Sequence, residues 1–573
     1  MAAPSTTSSS TQMDTFNTNL KEEVPQKMEL NDATGQRVET SSLSSASIKA
    51  KELTPNQLES QPAGAVIQIT RRAAILLFIG LAMATFLASL DGTIIATALP
   101  KIASDYNAKA EMSWVATAYL LTFNAFQPLY GKFSDIFGRK VMILFACVTF
   151  MVGSAGAGAA TTMTMLIVFR AIQGLGGSGL LSIVLIIISD IFSIEERPKY
   201  QSIIWSVFGI SSVIGPLLGG AFVDHASWRW CFYINLPLGV ITLASVIVFL
   251  RLPFESQKLK EQLARIDYIG TLLIIAVVVC LLLPITWGGV EYPWNHGAII
   301  GLFCVAAALI ATLVYAETKA YEAIVPPRLF KNFNVATIFL VNFFTGIGFL
   351  GVIFYSPIYF QVVKGNGATA SGLKLLPMVL GLVFASILSG AIMAKIKDPR
   401  YFIWIGAALV PVGVGLCILL DENSSMGEEI GFLLIVGAGV GLILQTAMIA
   451  AQASVEKEDM AVVTALCGFF NSIGGAIGIA MCTALFNNHL AAKMKELPAD
   501  VLMGLAKYPI AESITVVQTL PAELKAPLVA AYVDSFSYIF TVVCPISCVA
   551  FVISLFIRRF RHLDPSEMIM GAA

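Results

Sequence analysis

The sequence predicts an all-α membrane protein that crosses the bilayer fourteen times. Of its 573 residues, 57% are hydrophobic and only 13% are charged, and the mean hydropathy is +0.78. A soluble domain carries about 25% charged residues, so this chain lacks the polar groups needed to cover an aqueous surface. Its apolar residues are gathered into segments of about 20, the length that a transmembrane helix requires.

Fourteen such segments follow one another along the chain, separated by loops that contain charged residues, Gly or Pro. We place the spans at residues 75–99, 113–131, 141–160, 164–190, 202–223, 230–250, 268–287, 297–316, 335–357, 372–394, 402–420, 430–452, 462–486 and 536–557. The first span begins just after Arg72 and is long enough to cross the bilayer. We therefore expect an uncleaved anchor and no cleavable signal peptide.

The two ends of the chain differ from the spans in composition. Residues 1–70 are rich in Ser, Thr, Gln and charged residues and poor in aromatic residues, which predicts a disordered cytoplasmic tail. Residues 561–573 are predicted to form a second cytoplasmic tail. Residues 487–535, between the last two spans, are predicted to form a long outer loop.

Lysine and arginine are concentrated in alternate loops, which sets the orientation of the chain. With a cytoplasmic N-terminus, most of these residues, such as Lys132 and Arg328, fall in inner loops. The short outer loops then hold only Lys101, Lys109, Arg229 and Lys364. The sequence therefore predicts that both termini are cytoplasmic. The plasma membrane is the expected location, with the vacuolar membrane as the alternative.

Charge and motifs argue against several classes of function. A net charge of −1 provides no basic patch for nucleic acid. The nine cysteines form no CxxC pair and the four histidines are scattered, so neither a disulfide framework nor a metal site is indicated. No nucleophile–base set suggests an enzyme. No Gly-x4-Gly-Lys-Ser/Thr phosphate loop is present, and we expect no cofactor.

One carboxylate stands inside the first span, in the run LDGT at residues 90–93. A charged side chain near the bilayer centre costs about 2.5–3.5 kcal/mol on insertion scales and marks a candidate functional site. Arg170 in the fourth span lies at a similar depth, roughly 10 Å below the outer boundary at 1.5 Å per residue. We expect Asp91 to bind and release a proton beside Arg170. The alternatives are a static ion pair, or separate polar contacts to the backbone.

The loop after the second span reads GKFSDIFGRK at residues 131–140. This loop resembles the signature loop of the major facilitator superfamily. Further runs are similar to motifs of its fourteen-helix drug:proton antiporter group: LDGT at 90–93 with ALP at 98–100, RAIQG at 170–174, GPLLGG at 215–220, WRWCFYINLP at 228–237, YFQ at 359–361, SG at 371–372 and LP at 376–377. The resemblance covers about residues 72–560 and extends to fungal multidrug, mycotoxin and secondary-metabolite efflux pumps.

The resemblance implies two six-helix bundles, residues 71–253 and 333–560, around a central cavity. Two further helices, at residues 254–332, would be inserted between them. It also implies a proton-coupling role for Arg170 and Asp91. A cytoplasmic latch would form when that face is closed, with Asp135 at the N-terminus of the thirteenth span and Asp190 meeting Arg139. Its residues are Gly131, Asp135, Gly138, Arg139, Lys140 and Asp190.

Small residues recur every four positions in the fifth span, a spacing that lets helix backbones approach closely. Tight packing alone explains such a pattern. The resemblance adds the role of an antiporter motif that blocks proton leak and controls rocking of the two halves. Its residues are Gly215, Pro216, Gly219 and Gly220.

Several polar side chains within spans are candidates for lining the cavity, or alternatively for hydrogen bonds between helices. They are Asn124, Gln127, Gln173, Asn342, Gln445, Gln452 and Asn471. Asn423, in the sequon Asn-Ser-Ser, is a candidate site of N-glycosylation in an outer loop.

Together these features predict a proton-coupled exporter of small organic compounds such as drugs, toxins or secondary metabolites, working by alternating access. Protons, the small-molecule substrate and the lipid bilayer are its expected partners, and the chain is expected to be a monomer. Two alternatives stay open. One is a proton-coupled uptake symporter for a nutrient or siderophore, and the other is a membrane sensor that keeps the fold without transport.

Overall fold

The computed structural model describes residues 71–106, 108, 111–250, 258–289, 291–505, 517–518 and 520–560. Within them the chain forms nineteen α-helices: α1 Arg71–Asp105, α2 Met112–Phe137, α3 Arg139–Gly158, α4 Met163–Ile191, α5 Arg197–His225, α6 Trp230–Tyr233, α7 Asn235–Phe249, α8 Leu259–Ala264, α9 Tyr268–Trp287, α10 Gly297–Lys319, α11 Pro327–Lys331, α12 Phe333–Val362, α13 Ala368–Leu373, α14 Leu376–Ile396, α15 Arg400–Cys417, α16 Met426–Gln452, α17 Met460–Lys495, α18 Ala499–Leu505 and α19 Ala522–Ser554. A 3-10 turn, Lys457–Asp459, precedes α17. The tails predicted at residues 1–70 and 561–573 lie outside the described residues.

The all-α membrane fold is confirmed. Thirteen candidate spans, among the residues that the structure describes, are long and apolar enough to cross a membrane. Helix α2 occupies the position of the predicted second span but is outside this set. Its sequence includes Asn124, Gln127, Lys132 and Asp135, and these polar residues lower its apolar character.

The segment predicted as a long outer loop, residues 487–535, is helical in several of its described parts. Helix α17 continues to Lys495, α18 follows, and α19 begins at Ala522, well before the predicted span. Hydropathy identifies only the apolar stretch that crosses the lipid. The helix itself extends further into water, because its backbone hydrogen bonds do not require lipid, and hydropathy therefore does not give its ends. The two extensions are joined by an ion pair between Lys493 Nζ and Asp534 Oδ2 at 3.1 Å.

The membrane helices differ sharply in how much of their surface is buried within the protein. Helix α4 packs against α2 and α3, and 83% of its apolar stretch is buried. Only 11% of the corresponding stretch of α10 is buried. Helix α9 pairs with α10 and also contacts α2 and α17, which belong to the first and second halves of the chain. The inserted pair α9–α10 therefore lies beside both halves, with α10 on the outside.

Local sequence signals begin and end several of these helices. Thr162 caps α4 by accepting a hydrogen bond from Met165 N at 3.2 Å. Ser425 and Glu428 form a reciprocal capping box at the start of α16. Gly138 separates α2 from α3 at φ 88°, a conformation that a side chain disfavours. These signals fix the entry of helices whose packing then depends on distant partners.

One end of the molecule carries the junction of α2 with α3 and the starts of α5 and α17. We call it the basic face, after Lys132, Arg139, Lys140, Arg197 and Arg328. The two halves of the chain meet directly here, because Gly131 of α2 approaches α17. A β carbon on Gly131 would lie 3.1 Å from Ala461 O and 3.2 Å from Val462 Cα. The two halves are therefore in close contact at the basic face in this structure.

Candidate functional site

Asp91 and Arg170 are in direct contact at the centre of the first half of the chain. Arg170 Nη1 donates to Asp91 Oδ2 at 2.6 Å. The side chains are 0% and 1% exposed, so the ion pair is fully removed from solvent. Two charges so deeply buried persist only with close pairing and further hydrogen bonds. The shared depth expected from the sequence thus corresponds to a real contact in the structure.

Three further side chains, Gln173, Asn235 and Ser154, extend this ion pair into a hydrogen-bonded network. Gln173 Nε2 donates to Asp91 Oδ1 at 2.7 Å, and Gln173 Oε1 accepts from Arg170 Nη1 at 2.7 Å. Asn235 Nδ2 donates to the same Asp91 oxygen at 3.2 Å and to Ser154 Oγ at 3.2 Å. Side chains of α4 and α7 therefore converge on the Asp91 carboxylate of α1, and Ser154 of α3 joins the same network through Gln173 and Asn235.

Arg170 also has partners in α2. Its Nε donates to Val115 O at 3.2 Å, and its guanidinium carbon lies 4.3 Å from the centroid of the Tyr119 ring. A cation held over an aromatic face is stabilised by the ring quadrupole. Arg170 therefore keeps two contacts that do not depend on the charge of Asp91.

Sequence reasoning missed Asn235, Ser154 and Tyr119. Asn235 stands within the run at 228–237 that carried part of the resemblance, and an amide in an apolar stretch is a usable signal. Ser154 and Tyr119 offer no such signal, because small hydroxyls and tyrosines occur throughout membrane helices. Gln173, a candidate for lining the cavity, instead lies within this buried network.

The motif on α5 has two faces. A β carbon on Gly215 would lie 2.1 Å from Thr93 Oγ1, and one on Gly219 would lie 2.3 Å from Ile94 O. These two glycines therefore let α5 press against α1 immediately after Asp91. Pro216 and Gly220 face α13 of the second half, since a β carbon on Gly372 would lie 3.8 Å from Pro216 Cβ.

This difference predicts opposite effects for two neighbouring substitutions. Gly219→Ala is expected to lower the free energy of unfolding by about 1–3 kcal/mol, because its methyl group would overlap Ile94 O and Thr97 Oγ1, each 2.3 Å away. Gly220→Ala has room, with its nearest atom, Thr369 Oγ1, at 3.7 Å. It should be neutral or stabilising by up to about 1 kcal/mol, because alanine favours helix.

Thermal melting of the two purified variants measures the difference. Equal melting temperatures for Gly219→Ala and Gly220→Ala would contradict the two-faced assignment of the motif.

The loop at residues 131–140 forms ion pairs within the first half of the chain. Arg139 donates from Nε to Asp190 Oδ2 at 2.8 Å and from Nη1 to Asp135 Oδ1 at 2.5 Å. Lys140 Nζ donates to Ile247 O at 2.8 Å. The contact expected between Arg139 and Asp190 is present. Among the described residues, Asp135 accepts a hydrogen bond from Arg139 in its own loop and not from the N-terminus of α17.

A cavity of about 760 Å³ opens on the basic face, next to Asp135 and Val462. The chain segment after α10 forms one wall. There Glu322 accepts from Lys132 Nζ at 2.9 Å and from Arg265 Nε at 2.6 Å. Burial disfavours the charged form of Glu322, but the hydrogen bonds from Arg265 and Lys132 outweigh it and hold the pKa of Glu322 below its usual value. These ion pairs therefore persist at neutral pH and are lost only as the pH falls through that lowered pKa.

The side chains proposed to line a cavity are nearly all buried and mostly bonded to the backbone. Asn124 Nδ2 donates to Leu120 O, Asn342 Nδ2 to Ile338 O, and Asn471 Nδ2 to Asn342 O. The side-chain amide oxygens of Asn124 and Gln127 are buried without a hydrogen-bond partner.

Gln445 and Gln452 serve the contact between the two halves at the basic face. Gln445 Nε2 donates to Pro198 O at 2.6 Å. Gln201 Nε2 donates to Gln452 Oε1 at 3.5 Å, and Gln452 Nε2 donates to Thr464 Oγ1 at 2.9 Å. These amides join α5 to α16 across the interface. In this structure Gln445 and Gln452 therefore make hydrogen bonds between helices, which is one of the two roles that the sequence allowed for them.

Asn423 is exposed in the short turn between α15 and α16. Its backbone N–H donates to Asp421 Oδ1 at 2.8 Å, and Ser424 Oγ donates to the same oxygen at 2.9 Å. The third sequon residue, Ser425, is engaged in the cap of α16. The sequon therefore lies in an ordered turn.

Comparison with known proteins gives the chain a family context. Residues 81–479 match the family model described as the Major Facilitator Superfamily. The human organic anion transporter MFSD10 has a solved structure that covers 84% of this chain and 99% of its own, with a TM-score of 0.57 and 12% identity. At that identity the likeness concerns the fold alone.

Two curated relatives are similar over most of the chain. An MFS-type efflux pump, MFS1, of Arthroderma benhamiae is 42% identical over 416 residues, covering 72% of this chain and 78% of the relative. The multidrug transporter protein MdtP of Bacillus subtilis is 38% identical over 412 residues, covering 72% and 75%.

Proposed function

This chain belongs to the major facilitator superfamily, and from that premise we propose that it exports small organic compounds in exchange for protons. The relatives at 42% and 38% identity bear the names of an efflux pump and a multidrug transporter, which supports export. Family membership also supports transport rather than catalysis. The compound carried is one of drug, toxin or secondary-metabolite type.

The buried network around Asp91 is the observation that carries the proton-coupling part of the proposal. Asp91 accepts N–H bonds from Arg170, Gln173 and Asn235. A proton on the carboxyl group removes the ion pair and one acceptor site, while Arg170 keeps Val115 O and the Tyr119 ring. Proton binding therefore releases α1 from α4 without expelling the arginine.

Movement of α1 has a direct route to the interface between the halves. Thr93 and Ile94 follow Asp91 and pack against Gly215 and Gly219 of α5. The opposite face of α5 contacts α13 and α14 of the second half. We therefore propose that the α5 motif couples protonation of Asp91 to the rocking of the two halves.

We place the basic face in the cytoplasm, because positive residues are retained on that side of a membrane. Both termini are then cytoplasmic, and the close contact of the two halves at the basic face supports an arrangement shut toward the cytoplasm. The plasma membrane is the proposed location, and the proton gradient the energy source, without a bound cofactor.

The loop at 131–140 acts in this scheme as a latch for the closed basic face. Cysteines replacing Asp135 and Val462, which line the same cavity, should crosslink in this state and lose most of the yield when transported compound opens the face. The exposed Cys304 and Cys548 are first replaced by serine.

A control crosslink joins positions 140 and 247, which contact each other within the first half. Its yield should not change between states. Equal yields of the 135–462 crosslink in the two states would contradict the role of the loop as a latch.

The test of function is transport by the reconstituted full chain. Uptake into inside-out vesicles, equivalent to export, should require an acidic lumen and stop when an uncoupler collapses the pH and voltage gradients. Undiminished pumping after collapse would exclude proton coupling. Proton-driven accumulation only in right-side-out vesicles would instead indicate uptake.

A further inference from the structure

Two carboxyl groups meet where the inserted helices α9 and α10 reach the basic face. Asp267 is the N-cap of α9, and its Oδ1 accepts from Gly270 N at 2.8 Å. Glu317 lies in the last turn of α10 and is 3% exposed; its Oε2 accepts from Val325 N at 3.2 Å. Each carboxyl group therefore uses one oxygen to hold a backbone N–H.

The second oxygen of each group has no hydrogen-bond partner, although both are buried. These two oxygens, Asp267 Oδ2 and Glu317 Oε1, face the same small space beside Gly270. A β carbon at position 270 would lie 2.3 Å from the first and 3.0 Å from the second. The absence of a side chain on Gly270 thus leaves the two oxygens free to approach each other.

Two ionised carboxylates in such a place are unfavourable for two reasons. A buried acceptor without a partner retains its desolvation cost, and two neighbouring negative charges repel each other. A single proton between the oxygens removes both penalties, because it converts one acceptor into a donor and leaves one charge. Among the described residues, no group of three or more His, Cys, Asp and Glu side chains could hold a metal ion here instead.

The two helix ends decide which group carries the proton. Asp267 lies at the N-terminus of α9, where the helix dipole stabilises a negative charge, and Glu317 lies at the C-terminal end of α10, where it destabilises one. We propose that Asp267 and Glu317 together bind one proton, carried on Glu317 Oε1 and donated to Asp267 Oδ2. This proton site is separate from Asp91, and it does not depend on the function proposed above.

Other titratable groups line the cavity that Glu317 also borders. They are Lys132 and Asp135 of α2, Arg265 before α9, Tyr321 and Glu322 after α10, Arg328 and Lys331 of α11, and Glu458 and Asp459 before α17. Lys132 is held at 2.9 Å by Glu322, so its charge is already compensated. Arg265 is held by the same carboxylate at 2.6 Å and Arg328 by Asp459 at 2.7 Å, so these cations too are paired with other carboxylates.

The bound proton stabilises the attachment of the segment after α10 to the basic face. Glu317 Oε2 holds Val325 N, and Glu322 in the same segment bridges Lys132 and Arg265. Loss of the proton makes Asp267 and Glu317 repel each other and separates the ends of α9 and α10. The segment then loosens from α2, so that a rise in pH at the basic face weakens the contacts there.

Infrared difference spectroscopy of the full chain in lipid nanodiscs tests the site, with the pH raised stepwise. The parent is Asp91→Asn, which removes the buried acid of α1; the buried Glu429 is paired with Lys364 and Lys374. One carboxylic C=O band should disappear on raising the pH in the parent, be missing altogether in Glu317→Gln, and shift in frequency in Asp267→Asn. The control Glu291→Gln, an exposed acid at the opposite end of the inserted pair, should keep the band.

Gly270→Ala provides a second variant that retains both acids. Its methyl group separates the two oxygens, so the C=O band should shift as it does in Asp267→Asn. Hydrogen exchange of residues 320–326, corrected for intrinsic rates, should accelerate as the pH rises in the parent and become independent of pH in Glu317→Gln. An unchanged band in Glu317→Gln, or an equal pH response of exchange in both proteins, would overturn the proposal.

Discussion

The variant Asp91→Asn is expected to abolish accumulation of compound against its gradient, reducing it to the level of vesicles without protein. Asparagine keeps the shape of the side chain and one oxygen for Arg170, which sits 2.6 Å away, but it cannot bind and release a proton. Downhill movement and binding of compound should survive, because the cargo need not contact Asp91. The measurement is uptake into inside-out vesicles with an imposed pH gradient.

Asp105→Asn is the matched control for this substitution. Asp105 lies on the same helix α1, but it is surface-exposed and paired with Lys101 at 3.1 Å. This variant should transport as the unmodified chain does. If Asp91→Asn accumulates compound normally under the same gradient, the carboxylate is structural and the coupling proposal fails.

The variant Arg170→Ala should lower the free energy of unfolding by about 3–5 kcal/mol, because it leaves a buried carboxylate without its positive partner. It also removes the bond to Val115 O and the contact with the Tyr119 ring. The melting temperature of purified protein reports the loss. Arg328→Ala, which removes an exposed ion pair with Asp459, should cost no more than about 1 kcal/mol.

A double variant separates stability from coupling. Asp91→Asn with Arg170→Gln removes both charges and leaves amides that can bond to each other and to Gln173. Its melting temperature should lie above that of Arg170→Ala, while uphill transport stays absent. A double variant as unstable as Arg170→Ala would mean that the guanidinium contacts to α2, rather than charge pairing, dominate at this site.

Much of the fold followed from hydropathy, because bilayer thickness imposes a length on each span. The predicted second span corresponds to α2 despite its polar residues, since neighbouring spans and the loop at 131–140 require a crossing there. Residues 487–535 were predicted as a loop because helix ends outside lipid carry no hydropathy signal.

The site was only partly accessible from the sequence. Asp91 and Arg170 stood out because charges inside apolar spans are costly, and counting residues gave them a similar depth. Asn235 and Ser154 were missed, since nothing in a linear pattern indicates which face of α7 or α3 turns toward α1. Asp267 and Glu317, 50 positions apart in the chain, gave no signal because each lies at a helix end, where acids are ordinary.

The amino-acid sequence on its own determined the number and order of apolar segments, the positions of their charges and the family motifs, since these properties are local. Only the tertiary structure decided that Gly219 meets α1 while Gly220 faces the other half, and that Gln445 and Gln452 join the halves. Such choices depend on the rotation and closeness of helices far apart in the chain, which are set by the packing of all of them together.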